Sequence, residues 1–223
     1  MRGQMTHLWV IGMLMFSELN VTEHKKVGRE MIERDLTGAW DYATLPSNIR
    51  IGRDCYLENR DSFRRFRSEQ DPGLTLGDRV HVYTWTAFSV EPAGATVIGE
   101  ESTLVGPWFW CADQITIGKR VILSHNVIVA DADFHPQDPV LRRQDAMAVS
   151  PEGDKSRRPP YATRPVTIED DVWIGIGAIV LKGVHIGAGA KIGAGAVITH
   201  DVPAGATVIG NPAEIVSLSP TPT

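Results

Sequence analysis

Residues 168–201 read IEDDVW-IGIGAI-VLKGVH-IGAGAK-IGAGAV-ITHD, and the period of this stretch decides the fold. Aliphatic anchors recur every six residues at Ile168, Ile174, Val180, Ile186, Ile192 and Ile198. Four places after each anchor sits a small or branched residue: Val172, Ala178, Val184, Ala190, Ala196, Val202. Six is neither a helical nor a simple strand period. Alternation by two puts Val172 with Ile174, and Ala178 with Val180, on one face. The chain must then bend. Gly175, Gly187 and Gly193 follow their anchors directly and are expected to permit that bend. Each hexapeptide is therefore one short strand plus one corner, the pattern of a parallel β-helix. Three sides make a coil of 18 residues, so 168–203 supplies two coils.

The rhythm continues outward from this stretch. It starts at Ile51 and Leu57, and Phe63–Ser68 (FRRFRS) interrupts it with three arginines. That basic insert reads as a solvated loop, with phosphate contact as the alternative. Anchors return at Leu76, Val82 and Phe88, break at Pro92–Gly94, and resume at Ile98, Leu104 and Trp110. One extra residue precedes Ile117, Leu123 and Val129. In a flat strand such a slip would reverse the inward face; a corner is expected to absorb it. Residues 51–134 thus predict about four irregular coils, and a last strand is expected near Val208. One long departure, 135–164, is rich in proline and charge and has no anchor period. Loops of this length inside a domain are usually functional or disordered. The expected organisation is an arm and helix over 1–48, a β-helix domain over 49–216 with that inserted loop, and a fraying tail over 217–223. The arm's helix, 21–38, would be capped by Thr22.

Composition narrows the partners. The chain has 223 residues, 43% apolar and 22% charged, as in soluble globular proteins. A net charge of −5 argues against nucleic acid. Two cysteines, Cys55 and Cys111, exclude a disulfide scaffold and a cysteine zinc cluster, and fit a reducing cytoplasm. The apolar run Leu8–Phe16 is too short to span a bilayer and no small-residue cleavage site follows it, so a packed arm or a misplaced start codon is expected there.

The ladder, the segment DADFHP at 131–136, VTIEDDVWIGIGAIVLKGVHIG and VITHDVPAGATVIGNPAEIV together resemble the hexapeptide-repeat O-acetyltransferases, in the maltose/galactoside branch that includes polysaccharide and nodulation-factor enzymes. The resemblance covers about 98–216. It implies an all-β, left-handed parallel β-helix, a homotrimer, and acetyl-CoA as co-substrate in clefts between subunits, with no metal. It identifies His135, in its His-Pro context, with the family's catalytic histidine. It also places Ile176 and Ala194 as backbone contacts to the cofactor, Trp173 beside the pantetheine arm, and Thr199 and His200 near the nucleotide. A packed corner residue is the alternative for Trp173. Where the family often places basic residues for the CoA phosphates this chain has Glu214 and Ser217, so either the phosphates stay in solvent or Lys182, Lys191 or a loop arginine reaches them.

The residues fit this chemistry. Moving an acetyl group from a thioester to a hydroxyl needs a base near neutral pH, for which imidazole is suited. Asp131 or Asp133 is expected to orient the ring or to bind the acceptor. Sugar rings pack on aromatic faces, so Trp108 or Phe109 is expected exposed, with Trp110 on a core anchor. Arg142, Arg143, Arg157 and Arg158 read as a solvated group or as contacts to an anionic acceptor. For His135, an ordinary surface histidine is the alternative. His81, His125, His185 and His200 are expected to face outward. A γ-class carbonic-anhydrase-like zinc site built on His81, His125 and His135 is therefore a second reading. A non-catalytic β-helix scaffold is the third. Nothing in these residues separates O- from N-acetylation.

Overall fold

The computed structural model describes residues 45–58 and 60–218. The expected helix over 21–38 and the apolar run Leu8–Phe16 lie outside the described residues. Each hexapeptide forms a strand of two to four residues, and each strand pairs in parallel with the same side of the next coil. Three sheets result. The first holds β1 (Ile49–Ile51), β3 (Leu74–Leu76), β6 (Ala95–Ile98), β9 (Gln114–Ile117), β12 (Val166–Ile168) and β15 (His185–Ile186). The second runs from β2 (Tyr56–Leu57) through β13 (Trp173–Ile174) and β16 (Lys191–Ile192) to β18 (Ala206–Ile209). The third holds β5 (Ala87–Val90), β8 (Trp108–Cys111), β11 (Ile128–Ala130), β14 (Ile179–Val180) and β17 (Val197–Ile198). This is the expected parallel β-helix, with four irregular coils below the inserted loop and regular ones above it. Among the described residues, no helix is long and apolar enough to cross a membrane.

The anchors and their partners two residues earlier fill the interior. Ile168, Ile174, Val180 and Ile186 are fully buried, as are Val172, Ala178 and Val184. One rung of the third sheet reads Phe88, Phe109, Val129, Val180, Ile198 from coil to coil. Its lower end is aromatic: Phe63, Phe88 and Phe109 stack with centroids 5.6 and 5.1 Å apart. Truncating such a side chain to Ala costs about 3–5 kcal/mol.

Four sequence expectations are corrected. The bend does not fall on Gly175, Gly187 or Gly193. It falls two residues later, at Gly177, Gly183, Gly189 and Gly195, where φ is between +67° and +77°. Gly187 is small for another reason: a Cβ there would lie 2.5 Å from the backbone nitrogen of Ala204 in the next coil. Gly187→Ala should therefore destabilise the fold by about 1–3 kcal/mol through overlap. Gly189→Asn meets open space, and Asn tolerates a positive φ, so it should melt close to the parent. Thermal unfolding of the two variants separates these roles.

Second, Trp110 is not a core anchor. Phe109 and Cys111 are buried, while Trp108 and Trp110 point outward. Third, the segment 135–164 is not irregular throughout. It contains a helix, α1 (Pro139–Ala148), whose first N–H groups are capped by the Asp138 carboxylate. Fourth, the first two residues of the expected tail are in a strand, and the rest of it, 219–223, lies outside the described residues. Glu214–Leu218 forms β19, which runs antiparallel to β18.

The excursion leaves the coils in register because its feet are tied. Ala132 bridges Thr163, the Asp133 N–H donates to the Ala162 carbonyl at 3.0 Å, and the Arg164 N–H donates to that of Asp131 at 2.8 Å. Ile117 accordingly pairs with Ile168 as if no loop intervened.

Candidate active site

His135 follows Phe134, which is held at φ +58°, and precedes the buried Pro136. The strained turn and the stiff proline fix where the imidazole emerges. Its Nδ1 lies 2.6 Å from Oδ2 of Asp145. Asp145 stands in α1, so the helix that the loop builds returns a carboxylate to the loop's foot. The other carboxylate oxygen of Asp145, Oδ1, accepts from Nε of Arg158 at 2.7 Å. Arg158 also donates to the Phe134 carbonyl at 3.0 Å and stacks over the ring of Tyr161. The Asp145 side chain has no solvent exposure, whereas that of His135 is 52% exposed. Burial alone would raise the Asp145 carboxyl. Hydrogen bonds from Arg158 and His135 outweigh it and hold the group below the usual carboxylate range.

A carboxylate on Nδ1 favours the Nδ1–H tautomer and leaves Nε2 as the acceptor. Nε2 of His135 makes no hydrogen bond among the described residues. The ring borders a cavity of about 730 Å3, lined also by Arg67, Glu91, Trp110, Arg158 and Tyr161. Nucleophilic thiols are absent from this surface. Both cysteines are buried, and burial together with the neighbouring Asp131 pushes the Cys111 thiol up to about 12. The arrangement can take a proton from a bound nucleophile but offers no thiolate to carry an acyl group.

The two aspartates expected around the ring do other work. Asp131 is fully buried, and its carboxylate accepts the backbone N–H groups of Ala112 and Asp113 at 2.8 and 2.9 Å. It supports the coil and makes no hydrogen bond to the imidazole. Asp133 is held by Lys182 and by Gln137. The Lys182 hydrogen bond keeps its carboxyl low, and the pairing takes Lys182 out of the set available for phosphates. The orienting carboxylate, Asp145, was not singled out in the sequence; no spacing marks it.

The residues assigned to the cofactor do not border the His135 cavity. Trp173 is about half exposed on the second sheet, with its indole N–H 3.4 Å from Ser124 Oγ. Ile176 and Ala194 sit at the corner between the second and third sheets, one coil apart. Among the described residues, neither of their N–H groups donates a hydrogen bond. Thr199 and His200 are exposed at the upper end of the third sheet, bonded to one another at 2.8 Å. Lys191 pairs in register with Trp173 and is exposed. His135 stands across the third sheet, at the corner leading to the first.

The outward histidines are separate. His81 packs against Tyr56 and Tyr83, His125 against Trp85, and His135 against Asp145. Among the described residues, no three His, Cys, Asp or Glu side chains converge as metal ligands.

Residues 165–200 match the family model of the bacterial transferase hexapeptide, six repeats. A 2,3,4,5-tetrahydropyridine-2,6-dicarboxylate N-acetyltransferase from Staphylococcus aureus strain JH9 is 57% identical over 58 residues, covering 26% of this chain and 24% of that protein. The chain thus spans about a quarter of the length of the curated relatives it matches. Among solved structures, a hexapeptide-repeat acetyltransferase from Vibrio cholerae is 30% identical, covering 55% of this chain and 62% of that one, with a TM-score of 0.45. A mutant N-acyltransferase from Bacillus cereus, in complex with dTDP and coenzyme A, is 16% identical over 77% of this chain and 84% of that one, with a TM-score of 0.54, a likeness of fold.

Proposed function

Because the chain carries the hexapeptide repeat of bacterial transferases, we propose that it moves an acetyl group from acetyl-CoA to a hydroxyl of a sugar or glycan precursor. The observation that carries this reading is His135, bonded to Asp145 through Nδ1, with Nε2 left without a partner among the described residues and its ring bordering a cavity. In the reaction, Nε2 takes the acceptor's hydroxyl proton as the oxygen attacks the acetyl carbonyl carbon. The C–O bond forms, the C–S bond breaks, and the proton passes to the leaving CoA thiolate. The products are an acetyl ester and free CoA, with no covalent enzyme intermediate. A positioned base contributes roughly 10²–10⁴-fold, and holding both substrates in one cleft can contribute more.

Acetyl-CoA would lie along Trp173, with the unpaired N–H groups of Ile176 and Ala194 meeting the amides of pantetheine, and reach toward Thr199 and His200. Lys191, in register with Trp173, is the cation on this wall for the CoA phosphates. His135 lies on the far side of the third sheet from the Trp173 wall. A homotrimer is therefore part of the proposal, with one copy's His135 meeting the cofactor wall of the next. The cytoplasm, where acetyl-CoA is made, is the proposed location.

Free-thiol release from acetyl-CoA, screened over sugar hydroxyl and amine acceptors, tests the activity. CoA should appear only when an acceptor is present, and calorimetry should register acetyl-CoA binding. Absence of both signals would leave a non-catalytic scaffold. A sedimentation mass of three chains is expected.

A further inference from the structure

The basic insert FRRFRS is not a detached loop. Phe66 is buried and bridges Val90 in parallel, so residues 65–67 extend the third sheet by one rung below β5. With Phe66 inward, Arg65 and Arg67 stand on the outer face. Trp108 and Trp110 stand on that same face, in register with Ala87 and Ser89 of β5. Ser89 thus lies between Trp110 and Arg65, while Arg67 falls opposite Glu91.

The tryptophans form a plate, with centroids 6.1 Å apart and planes within 18°. The plate continues to the catalytic corner: Trp110 meets Phe134 edge-on at 5.8 Å, and Phe134 meets Tyr161 at 5.9 Å. In the other direction, Trp108 borders a second groove of about 580 Å3 together with Trp85, Thr84 and Thr86. Trp85 is 69% exposed and held at φ +71°. Other coils fill this corner with Gly106, Asn126, Gly177 and Gly195. A bulky residue kept in that strained conformation and turned outward points to use rather than packing. Arg65 lines both the groove at Trp85 and the cavity at His135 and so links the two along one face as a candidate track. Arg67 is paired with Glu91 and Arg158 with Asp145, whereas Arg65 has no ion-pair partner among the described residues.

We propose that this track binds an anionic oligosaccharide or longer glycan as the acceptor. Its rings lie against Trp108 and Trp110, and an acidic group pairs with Arg65, which brings a neighbouring unit to His135. Flat aromatic faces suit the apolar faces of sugar rings. A guanidinium suits a carboxylate or other oxyanion through paired N–H donors. The inference rests on the acyl-transfer reading for its chemistry, but the binding track stands on its own geometry.

Calorimetry with galacturonic acid oligomers of one to six units, and with neutral malto-oligosaccharides of the same lengths, tests it. The anionic series should tighten with length over about the first three units and bind at least about tenfold better than the neutral series. Added salt should narrow that gap, since exposed charges are screened. Trp108→Ala and Arg65→Gln should each weaken the anionic hexamer by about tenfold or more, while Trp108→Phe retains most of the affinity and Arg65→Lys, which keeps the charge but not the paired donors, falls in between. Affinity independent of length and charge, or unchanged in Trp108→Ala and Arg65→Gln, overturns the track. The thiol-release assay separates the two proposals. Turnover of a neutral monosaccharide at the same kcat/KM as the anionic hexamer overturns the track and leaves acyl transfer standing. Trp108-dependent binding without thiol release does the reverse.

Discussion

His135→Ala should lower kcat by about 10²–10⁴-fold, leaving acetyl-CoA affinity unchanged and the melting temperature within a few degrees of the parent. The size of the kinetic effect is that of a lost general base. The small thermal effect follows from position. The imidazole is half exposed and emerges from the foot of the loop, outside the stacked core of anchors. Its removal leaves Asp145 still held by Arg158 at 2.7 Å, so no buried carboxylate is orphaned. Cofactor affinity should hold because the proposed cofactor wall, Trp173 with the corners at Ile176 and Ala194, makes no contact with the ring within the chain. Thiol-release kinetics at saturating acceptor, with calorimetry on the same preparation, check all three. Near-normal kcat would remove His135 from the chemistry. A collapse of acetyl-CoA binding would make it a structural residue.

The degree to which the sequence disclosed this molecule varies with what each residue depends on. The anchors from Ile168 to Ile198 repeat because every coil presents the same interior, so a period read from one strand of text locates buried side chains without a structure. The four lower coils were legible for the same reason. The slip at 108–111 was not. Counting six from Leu104 reaches Trp110, but β8 is four residues long and turns two side chains inward. Those two must match Phe88 and Val90 below, and Phe109 and Cys111 do. The three-dimensional rung overrides the linear count.

The site divides in a similar way. His135 was visible through its neighbours in the chain, Asp133, Phe134 and Pro136. Its orienting carboxylate was not, since Asp131, Asp133 and Asp145 are equally eligible on paper. Geometry chooses among them: Asp131 is spent on two backbone N–H groups and Asp133 on Lys182. The helix that delivers Asp145 did leave a trace, because Asp138 followed by Pro139 is a helix start. The proline-rich, charged composition around it masked that signal.

Asp145→Asn should be nearly as damaging as loss of His135 itself, and worse than Asp145→Ala. Arg158 donates and cannot accept, so Nε at 2.7 Å requires an oxygen at the Oδ1 position. The amide of an asparagine must therefore turn its NH2 toward His135. An N–H donor at Nδ1 forces the proton onto Nε2, and the imidazole can then no longer accept one from the acceptor hydroxyl. Imposing the wrong tautomer through a His–Asp pair costs up to about 10⁴ in kcat. Asp145→Ala imposes no tautomer and should cost less. The double change Asp145→Asn with Arg158→Ala frees the amide to flip its oxygen toward Nδ1–H, so it should recover part of the kcat lost in the single variant. Nitrogen NMR of the His135 ring reads the tautomer directly: Nδ1–H in the parent, Nε2–H in Asp145→Asn, Nδ1–H again in the double variant. In the parent, the Asp145 carboxyl is held low, so its support of the ring is present at neutral pH and is lost only as pH falls through that depressed value. The asparagine variant has no carboxyl there to titrate, so that acid-side loss should vanish from its profile. If the double variant is no faster than the single one while the tautomer reverts, Asp145 acts on something other than the proton position of His135.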